Sequence, residues 1–456
     1  MTEAGPVART APLAGSRVAD VAIIGGGYAG MWTALAVRRL DPVARIVLLE
    51  AAVCGDGPSG RNAGFANCFW HLFDRLEAAH GRDRALELCD LAAASVDAIG
   101  VFAREREIEI GYRKAGHLKV STTPSQDGSW LPALRACERA GRGGEMVALD
   151  AAAVRERCDS PLFRQGALVP QGASVQPALL ARGLRSAVLD AGVTLAEQTR
   201  VRRIESRSGD VLLETDDGAS VRAGAAVLAI NAASAGVAPL RPRLAVTSTH
   251  MIVTEPVPDL LEEIGWTGGE CISTARRHLH YFRTTADGRI AFGWGGGRLA
   301  YGARLGGRVE VDRQVVERLR ADILRFFPGL RGRRVDAAWG GPVDVSPTHL
   351  PGVGTLAGGR VHYVCGFTGN GVGPAHLAGA TLASLALGHV DSLTRSALVE
   401  PRQPPVPREP ARFIGGTLVR AALVRQEDAE DRGRRAGAWT RIVTQIPERL
   451  GIHVGR

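Results

Sequence analysis

Lysine is almost missing from this chain. Only Lys114 and Lys119 occur among 56 basic residues in a sequence of 456, so arginine carries nearly all of the positive charge. Genome composition and a functional demand for arginine are equal explanations of that pattern. A nucleic-acid binder gathers its cations on a reading element with aromatic or motif support, and no such element is present. Paired cysteines are missing too. The seven cysteines are odd in number, scattered, and never spaced as CxxC, which argues against a zinc site or a disulfide framework and for a reducing, cytoplasmic compartment. No long hydrophobic run exists. The candidate span at 223–240 is interrupted by Asn231, Ser234 and Pro239 and does not suit a bilayer. Residues 1–19 lack a continuous apolar segment, so no secretory signal is expected and they read as a flexible tail. What remains, 45% apolar and 23% charged, is an ordinary globular mix and excludes a disordered or fibrous chain.

The first informative pattern is a short apolar run, Val21 to Ile24, followed at once by Gly25-Gly26-Gly27-Tyr28-Ala29-Gly30. Met31 to Leu40 then reads as a helix, and Arg45 to Leu49 as a second buried strand ending in Glu50. Strand, GxGxxG, helix, strand and acid is the order of a dinucleotide-binding crossover. The glycines permit a tight turn and close backbone approach to a pyrophosphate, the helix start supplies free N–H groups, and the acid accepts bonds from a ribose. The motif by itself does not separate NAD from FAD.

Three further segments follow in order. Ser59-Gly60-Arg61-Asn62-Ala63-Gly64-Phe65 comes shortly after Glu50. Val175-Gln176-Pro177-Ala178-Leu179-Leu180 opens a helical run to Asp190, and a later strand closes on Val227 to Ser234. Gly366-Phe367-Thr368-Gly369-Asn370-Gly371-Val372-Gly373-Pro374 then follows the strand Val361 to Cys365 and precedes an apolar helix, Leu377 to Leu387. In this order and spacing, over roughly 20 to 390, the chain resembles the D-amino-acid-oxidase-like flavoproteins. The branch includes glycine and sarcosine oxidases and looks closest to gamma-glutamylputrescine oxidase-like proteins.

The resemblance implies an α/β chain. It would have a Rossmann-like FAD-binding domain, an interleaved antiparallel-sheet substrate domain, and a helical C-terminal extension outside the family core. The FAD-binding parts are expected at 20–104, 166–242 and 341–395, the substrate-domain parts at 105–165 and 243–340, and a proline-rich linker with the extension at 396–456. FAD rather than NAD also suits a second Gly-rich turn more than three hundred residues after the first. The cofactor is expected against Gly25, Gly27, Tyr28, Ala29, Gly30 and Glu50, then Ser59, Gly60, Arg61, Asn62, Ala63 and Gly64. Val201, Asn231 and Ala232 follow, and then Gly366, Thr368, Gly369, Asn370, Gly371 and Val372.

Two departures qualify the carry-over. The segment Gly341 to Thr348 lacks the cysteine that attaches flavin in the sarcosine oxidase branch, and Ser59 to Ala63 offers no histidine for the alternative link, so non-covalent FAD is expected. Asn370 stands where relatives often carry histidine. Some members use a lysine to help oxygen accept electrons; here, with only Lys114 and Lys119 in the chain, arginine or histidine would have to serve. No metal site is expected.

On the substrate side, Leu118 and Val120 alternate with polar neighbours as on a half-buried strand, and Asp287-Gly288 between two strand-like runs signals a hairpin. Alternation along His278-Leu279-His280-Tyr281-Phe282-Arg283 puts Tyr281 and Arg283 on one face and His278 and His280 on the other, with Phe282 turned to the core. Arg283 is the expected carboxylate clamp. Tyr281, Trp339 and Asn370 complete the candidate catalytic set.

In the tail, Leu398 to Pro410 reads as an extended linker and Phe413 to Arg435 as one amphipathic helix. From 401 to 456, eleven arginines meet six acidic residues, so more than half of the net charge of +9 lies there. The acidic block Glu427 to Asp431 offsets a basic membrane-surface reading, and packing on the body or on a second subunit as a homodimer is favoured. The function expected is oxidation of a C–N bond in an amine or amino acid, with O2 giving hydrogen peroxide. The alternatives are another electron acceptor, a 2-hydroxy acid substrate, or a flavin-binding subunit without its own catalysis.

Overall fold

The apolar run at 21–24 is the buried end of a longer parallel strand, Ser16–Ile24, flanked by Ile46–Leu49 on one side and Ser220–Leu228 on the other. The structure, a computed structural model, describes residues 5, 7–401 and 403–454. Within the first sheet the order is Gly352–Thr355, Val361–Cys365, Ser220–Leu228, Ser16–Ile24, Ile46–Leu49 and Thr194–Ala196, with a hairpin at 201–215 branching off strand Ser220–Leu228. The central strands lie buried on both faces, which is why they read as unbroken apolar runs rather than alternating ones.

Helices Tyr28–Leu40 and Val372–Ala386 pack together on this sheet. Gly379 sets their closeness, since a Cβ there would lie 2.6 Å from the Cβ of Trp32. The second helix begins at the glycine turn itself, earlier than its apolar residues suggested, because Pro374 sits in the first turn where its missing N–H costs no bond. The tail expected at 1–19 falls partly outside the described residues. Where it is described it is anchored: Ala8 accepts a bond from Arg185 at 2.8 Å, and the Thr10 N–H donates to Glu197 at 2.9 Å. Leu13 is buried with its N–H on Thr199 Oγ1. The looseness expected there is corrected for these residues.

The second sheet has eight strands in the order Val335–Val345, Ala245–Thr254, Ile290–Trp294, His280–Thr284, Cys271–Thr274, His117–Val120, Gly166–Val169 and Val147–Leu149. All neighbours are antiparallel except His117–Val120 beside Cys271–Thr274. Both segments expected to carry the substrate side thus meet in one sheet, which also takes in Gly166–Val169 and runs past residue 340 to Val345. The Asp287-Gly288 hairpin forms as read, with Gly288 at φ +77°. One face of the sheet is an aromatic core in which Phe282 stacks on Phe292 and both meet Phe326 of helix Arg313–Phe326. The opposite face carries Thr249, Ser273, His117 and Tyr281 toward a cavity.

The tail is two helices rather than one, Ala411–Glu430 and Ala438–Arg449, joined by a turn that breaks the expected run at Asp431. They pack on each other and on the second sheet's loops.

Candidate functional site

A cavity of about 1320 Å³ is lined by the first Gly-rich turn, the second Gly-rich turn, the open face of the second sheet, and both tail helices. At one end Gly25 takes φ +107°, and a Cβ there would lie 2.4 Å from the Ala229 carbonyl oxygen. A Cβ on Gly26 would lie 2.3 Å from Cys54 Sγ, and one on Gly30 only 1.9 Å from the Gly25 carbonyl. These glycines let the turn close and leave its rim open to a ligand. Glu50 accepts the Gly26 N–H at 2.7 Å and the Ala52 N–H at 2.8 Å. Each oxygen keeps a lone pair for a ribose hydroxyl. Ser59 Oγ accepts the Tyr28 N–H at 2.9 Å, tying the Ser-Gly-Arg-Asn segment to the helix start.

The second turn is held by a residue that sequence reasoning passed over. Asp344 accepts the Gly366 N–H at 2.6 Å and the Asn231 side-chain amide at 3.2 Å, while its own carbonyl accepts the Thr368 N–H at 2.9 Å. The first two bonds go to the carboxylate. Burial pushes its pKa up to about 7, against the pull of the Gly366 and Phe367 amides. Thr368 itself has φ +52°, in the left-handed region that a threonine avoids. Strain of this kind at a cavity wall fits a backbone shaped for a ligand. Two buried oxygens, Asn231 Oδ1 and Asn370 Oδ1, have no hydrogen-bond partner among the described residues.

The expected cofactor residues divide cleanly. Gly25, Gly27, Tyr28, Ala29, Glu50, Ser59, Arg61, Asn62, Ala63, Val201, Asn231, Thr368, Gly369, Gly371 and Val372 all line the cavity. Gly30, Gly60, Gly64, Ala232, Gly366 and Asn370 lie behind that lining and shape it. A Cβ on Gly64, for example, would lie 2.1 Å from the Val175 carbonyl oxygen. The cavity thus offers two glycine turns at helix starts, a ribose acceptor, and length between them, which fits an extended dinucleotide. All seven cysteines are buried thiols. Among the described residues no group of His, Cys, Asp and Glu is arranged to hold a metal ion.

Of the catalytic candidates, Tyr281 and Trp339 line the cavity and Arg283 and Asn370 do not. The Thr249 and Tyr281 hydroxyls share a hydrogen bond at 2.5 Å, and each also reaches a carbonyl, Thr249 that of Trp294 at 3.1 Å and Tyr281 that of His250 at 3.5 Å. Trp339 Nε1 donates to the Arg61 carbonyl at 2.8 Å and so fixes its ring over the Ser-Gly-Arg-Asn segment. Arg283, the expected clamp, does not line the cavity. Its Nε donates to the Ala63 carbonyl at 2.5 Å and its Nη1 to the Thr284 carbonyl at 3.0 Å, in a buried position. Alternation gave its face rightly but not its reach: it bonds backbone before arriving at the cavity. The pairing of His278 with His280 is corrected. His280 lies in the aromatic core against Asp322 at 2.9 Å, whereas His278 precedes the strand and lines the cavity.

Several further residues line the cavity. Lys119 and His117 project from one strand into the cavity, while Lys114 pairs with Asp97 at the surface. Arg420, on the first tail helix, donates its Nε to the carbonyls of Gly296 at 2.9 Å and Gly297 at 2.6 Å and lies over the Trp294 ring. It is half-buried and makes no ion pair among the described residues, since neighbouring Asp312 is taken by Arg298 and Arg308. Burial and the Arg298 charge pull its pKa below the usual guanidinium value.

Comparison with known proteins agrees with this geometry. The sequence profile of the FAD dependent oxidoreductase family, DAO, matches residues 20–385. A probable oxidoreductase OrdL of Rhizobium meliloti is 30% identical over 423 residues, covering 90% of each chain. The gamma-glutamylputrescine oxidoreductase of Escherichia coli is 30% identical over 383 residues, covering 82% of this chain and 84% of that one. Among solved structures, glycine oxidase from Geobacillus kaustophilus superposes with a TM-score of 0.66 at 23% identity, covering 84% of this chain and 99% of its own. With the profile matched across most of its length and both glycine turns at one cavity, the chain belongs to the DAO family of FAD-dependent oxidoreductases, enzymes of amine and amino-acid oxidation.

Proposed function

We propose that this enzyme oxidises the C–N bond of an amine or amino acid that carries a carboxylate away from the reacting carbon. The observation that carries the reading is the half-buried Arg420, with no ion pair among the described residues, in the same cavity as the Tyr281 wall and both glycine turns. A cation held by two carbonyls and without an ion pair among the described residues is poised for a carboxylate from outside. His278 and Lys119 add donors along the same wall.

The residues divide the work by position. The first turn, Glu50 and the Ser59 to Ala63 segment would hold the adenosine diphosphate portion, and the Asp344-supported turn the other end. Bound there, FAD supplies the acceptor for the hydride that leaves the substrate carbon. No cysteine is among the lining residues, which supports non-covalent retention. Tyr281, Thr249 and Trp339 orient the amine and exclude water, so a strong general base is not required. The imine product takes up water to give a carbonyl compound and a released amine or ammonia. Dioxygen takes the two electrons and two protons as hydrogen peroxide, with Lys119 the lysine available beside the cavity.

The test is anaerobic titration of the yellow protein with a pool of carboxylate-bearing amines, then admission of air. Bleaching, recovery in air and peroxide together support the proposal. Bleaching without recovery in air moves the acceptor to another carrier. A flavin that no amine reduces sinks it.

A further inference from the structure

The C-terminal extension lies outside the matched family region, and its outer face has an unusual composition. On the second tail helix Trp439, Ile442 and Ile446, with Leu450 just beyond it, recur at helical spacing and are each 43 to 72% exposed. On the first tail helix Ile414 and Leu418, one turn apart, are exposed as well. Leu418, Trp439, Ile446 and Leu450 also line the cavity, so these two apolar stripes meet at its mouth. Large apolar side chains grouped in this way on a soluble surface mark an interaction site.

The charges around the stripes are sorted by sign. The acidic block that offset the arginines in sequence faces inward. Asp431 pairs with Arg276 and Arg325, Asp428 with Arg318, and Glu427 accepts the His278 N–H. Glu430 accepts from Ser125 and Gln426, Glu448 pairs with Arg277, and Glu409 with Arg412. Each acidic side chain from Glu409 to Glu448 is thus engaged. Arg425, Arg432, Arg434, Arg435, Arg441 and Arg449 stay exposed, with no ion pair among the described residues. Arg425 continues the Ile414 and Leu418 stripe by helical spacing, and Arg441 and Arg449 flank the stripe of the second helix.

We propose that this face is a docking surface for an anionic lipid bilayer. A tryptophan and long aliphatic side chains set among unpaired arginines is the composition of an interfacial amphipathic helix, which lies in the headgroup plane without crossing. No helix among the described residues is long and apolar enough to span. The structure removes the one objection that the sequence raised, because the acidic block 427–431 is engaged against the body. Charge complementarity therefore selects anionic rather than neutral lipid.

The experiment is co-sedimentation of the FAD-loaded enzyme with phosphatidylcholine vesicles, with and without roughly one-third phosphatidylglycerol. The expected result is binding to the anionic vesicles alone, released by salt. Ile442→Ser and the double variant Arg434→Glu/Arg435→Glu, none of whose positions lines the cavity, should each cut binding roughly tenfold. Both should keep their flavin absorbance and melting temperature. Failure to bind anionic vesicles, binding that the variants leave unchanged, or equal binding to neutral vesicles would overturn the proposal. So would a stable dimer in sedimentation velocity that Ile442→Ser dissociates, since a second copy would then be what covers the face.

Discussion

Arg276, in the loop before strand His280–Thr284, and Asp431, at the end of helix Ala411–Glu430, form an ion pair in which both side chains are buried, at 2% and 7% exposure. The contact joins the extension to the substrate side of the molecule. Burial alone would raise the Asp431 pKa, and Arg276 and Arg325 outweigh it and hold the carboxyl below its ordinary value of 3.8. Removing one partner strands the other charge in a poorly solvated site. Asp431→Ala is expected to cost about 3 kcal/mol, read as a lower melting temperature, with faster hydrogen exchange concentrated in the two tail helices. The pair's stabilisation is full above the ordinary carboxylate range and is lost as pH falls through the depressed value. A variant that melts like the parent at neutral pH would show that the pair does not hold the tail.

The parts of this molecule that were legible in sequence are those where backbone geometry dictates the residue. Gly25, Gly26 and Gly30 could not carry a Cβ without meeting Ala229, Cys54 or Gly25 itself, so the motif and the cradle are one fact. Glu50 and the second glycine turn were readable for the same reason. Side chains whose role depends on distant partners were not. Alternation assigned Arg283 its face, but that its guanidinium stops at the Ala63 carbonyl depends on how two domains meet. Asp344 stood in a segment that was read only for its lack of cysteine. The acidic block at 427–431 was counted as a neutraliser of nearby arginines, whereas its partners Arg276, Arg318 and Arg325 come from more than a hundred residues upstream.

Arg420→Ala tests the carboxylate anchor. The guanidinium is positioned by two carbonyls and a tryptophan ring, so its loss removes a preformed, charge-assisted contact. KM for a carboxylate-bearing amine is expected to rise roughly tenfold or more, with kcat changing less and with FAD content unaltered. Arg420→Lys should recover only part of the loss, because an ammonium cannot reproduce the planar fork. An unchanged KM would remove Arg420 from substrate binding.

Arg283→Met should produce the opposite split. The bond from Nε to the Ala63 carbonyl supports the Ser59 to Gly64 loop, and methionine keeps the bulk while deleting the donor. FAD retention on dialysis is expected to weaken roughly tenfold, while the FAD-saturated variant keeps the parental KM for its amine. A raised KM with normal FAD retention would restore Arg283 as a substrate clamp.

Asp344 gives a prediction in pH. Burial raises its carboxyl from an ordinary value of 3.8 to about 7, so between those values the folded chain holds a proton that the unfolded chain has released. Excess protons on the folded state make stability fall as pH rises, and the slope vanishes once both states are ionised. Asp344 should therefore contribute a decline in melting temperature between about pH 4 and pH 7 that Asp344→Asn removes. An asparagine carbonyl can still accept one of the two bonds now made by Gly366 and Asn231. Its amide also places a donor against one of them, so FAD affinity should drop even as the pH dependence flattens. Melts across that window, with and without added FAD, separate the two effects. A variant whose melting profile parallels the parent's would mean that Asp344 is ionised throughout and that its carboxylate is solvated better than its burial implies.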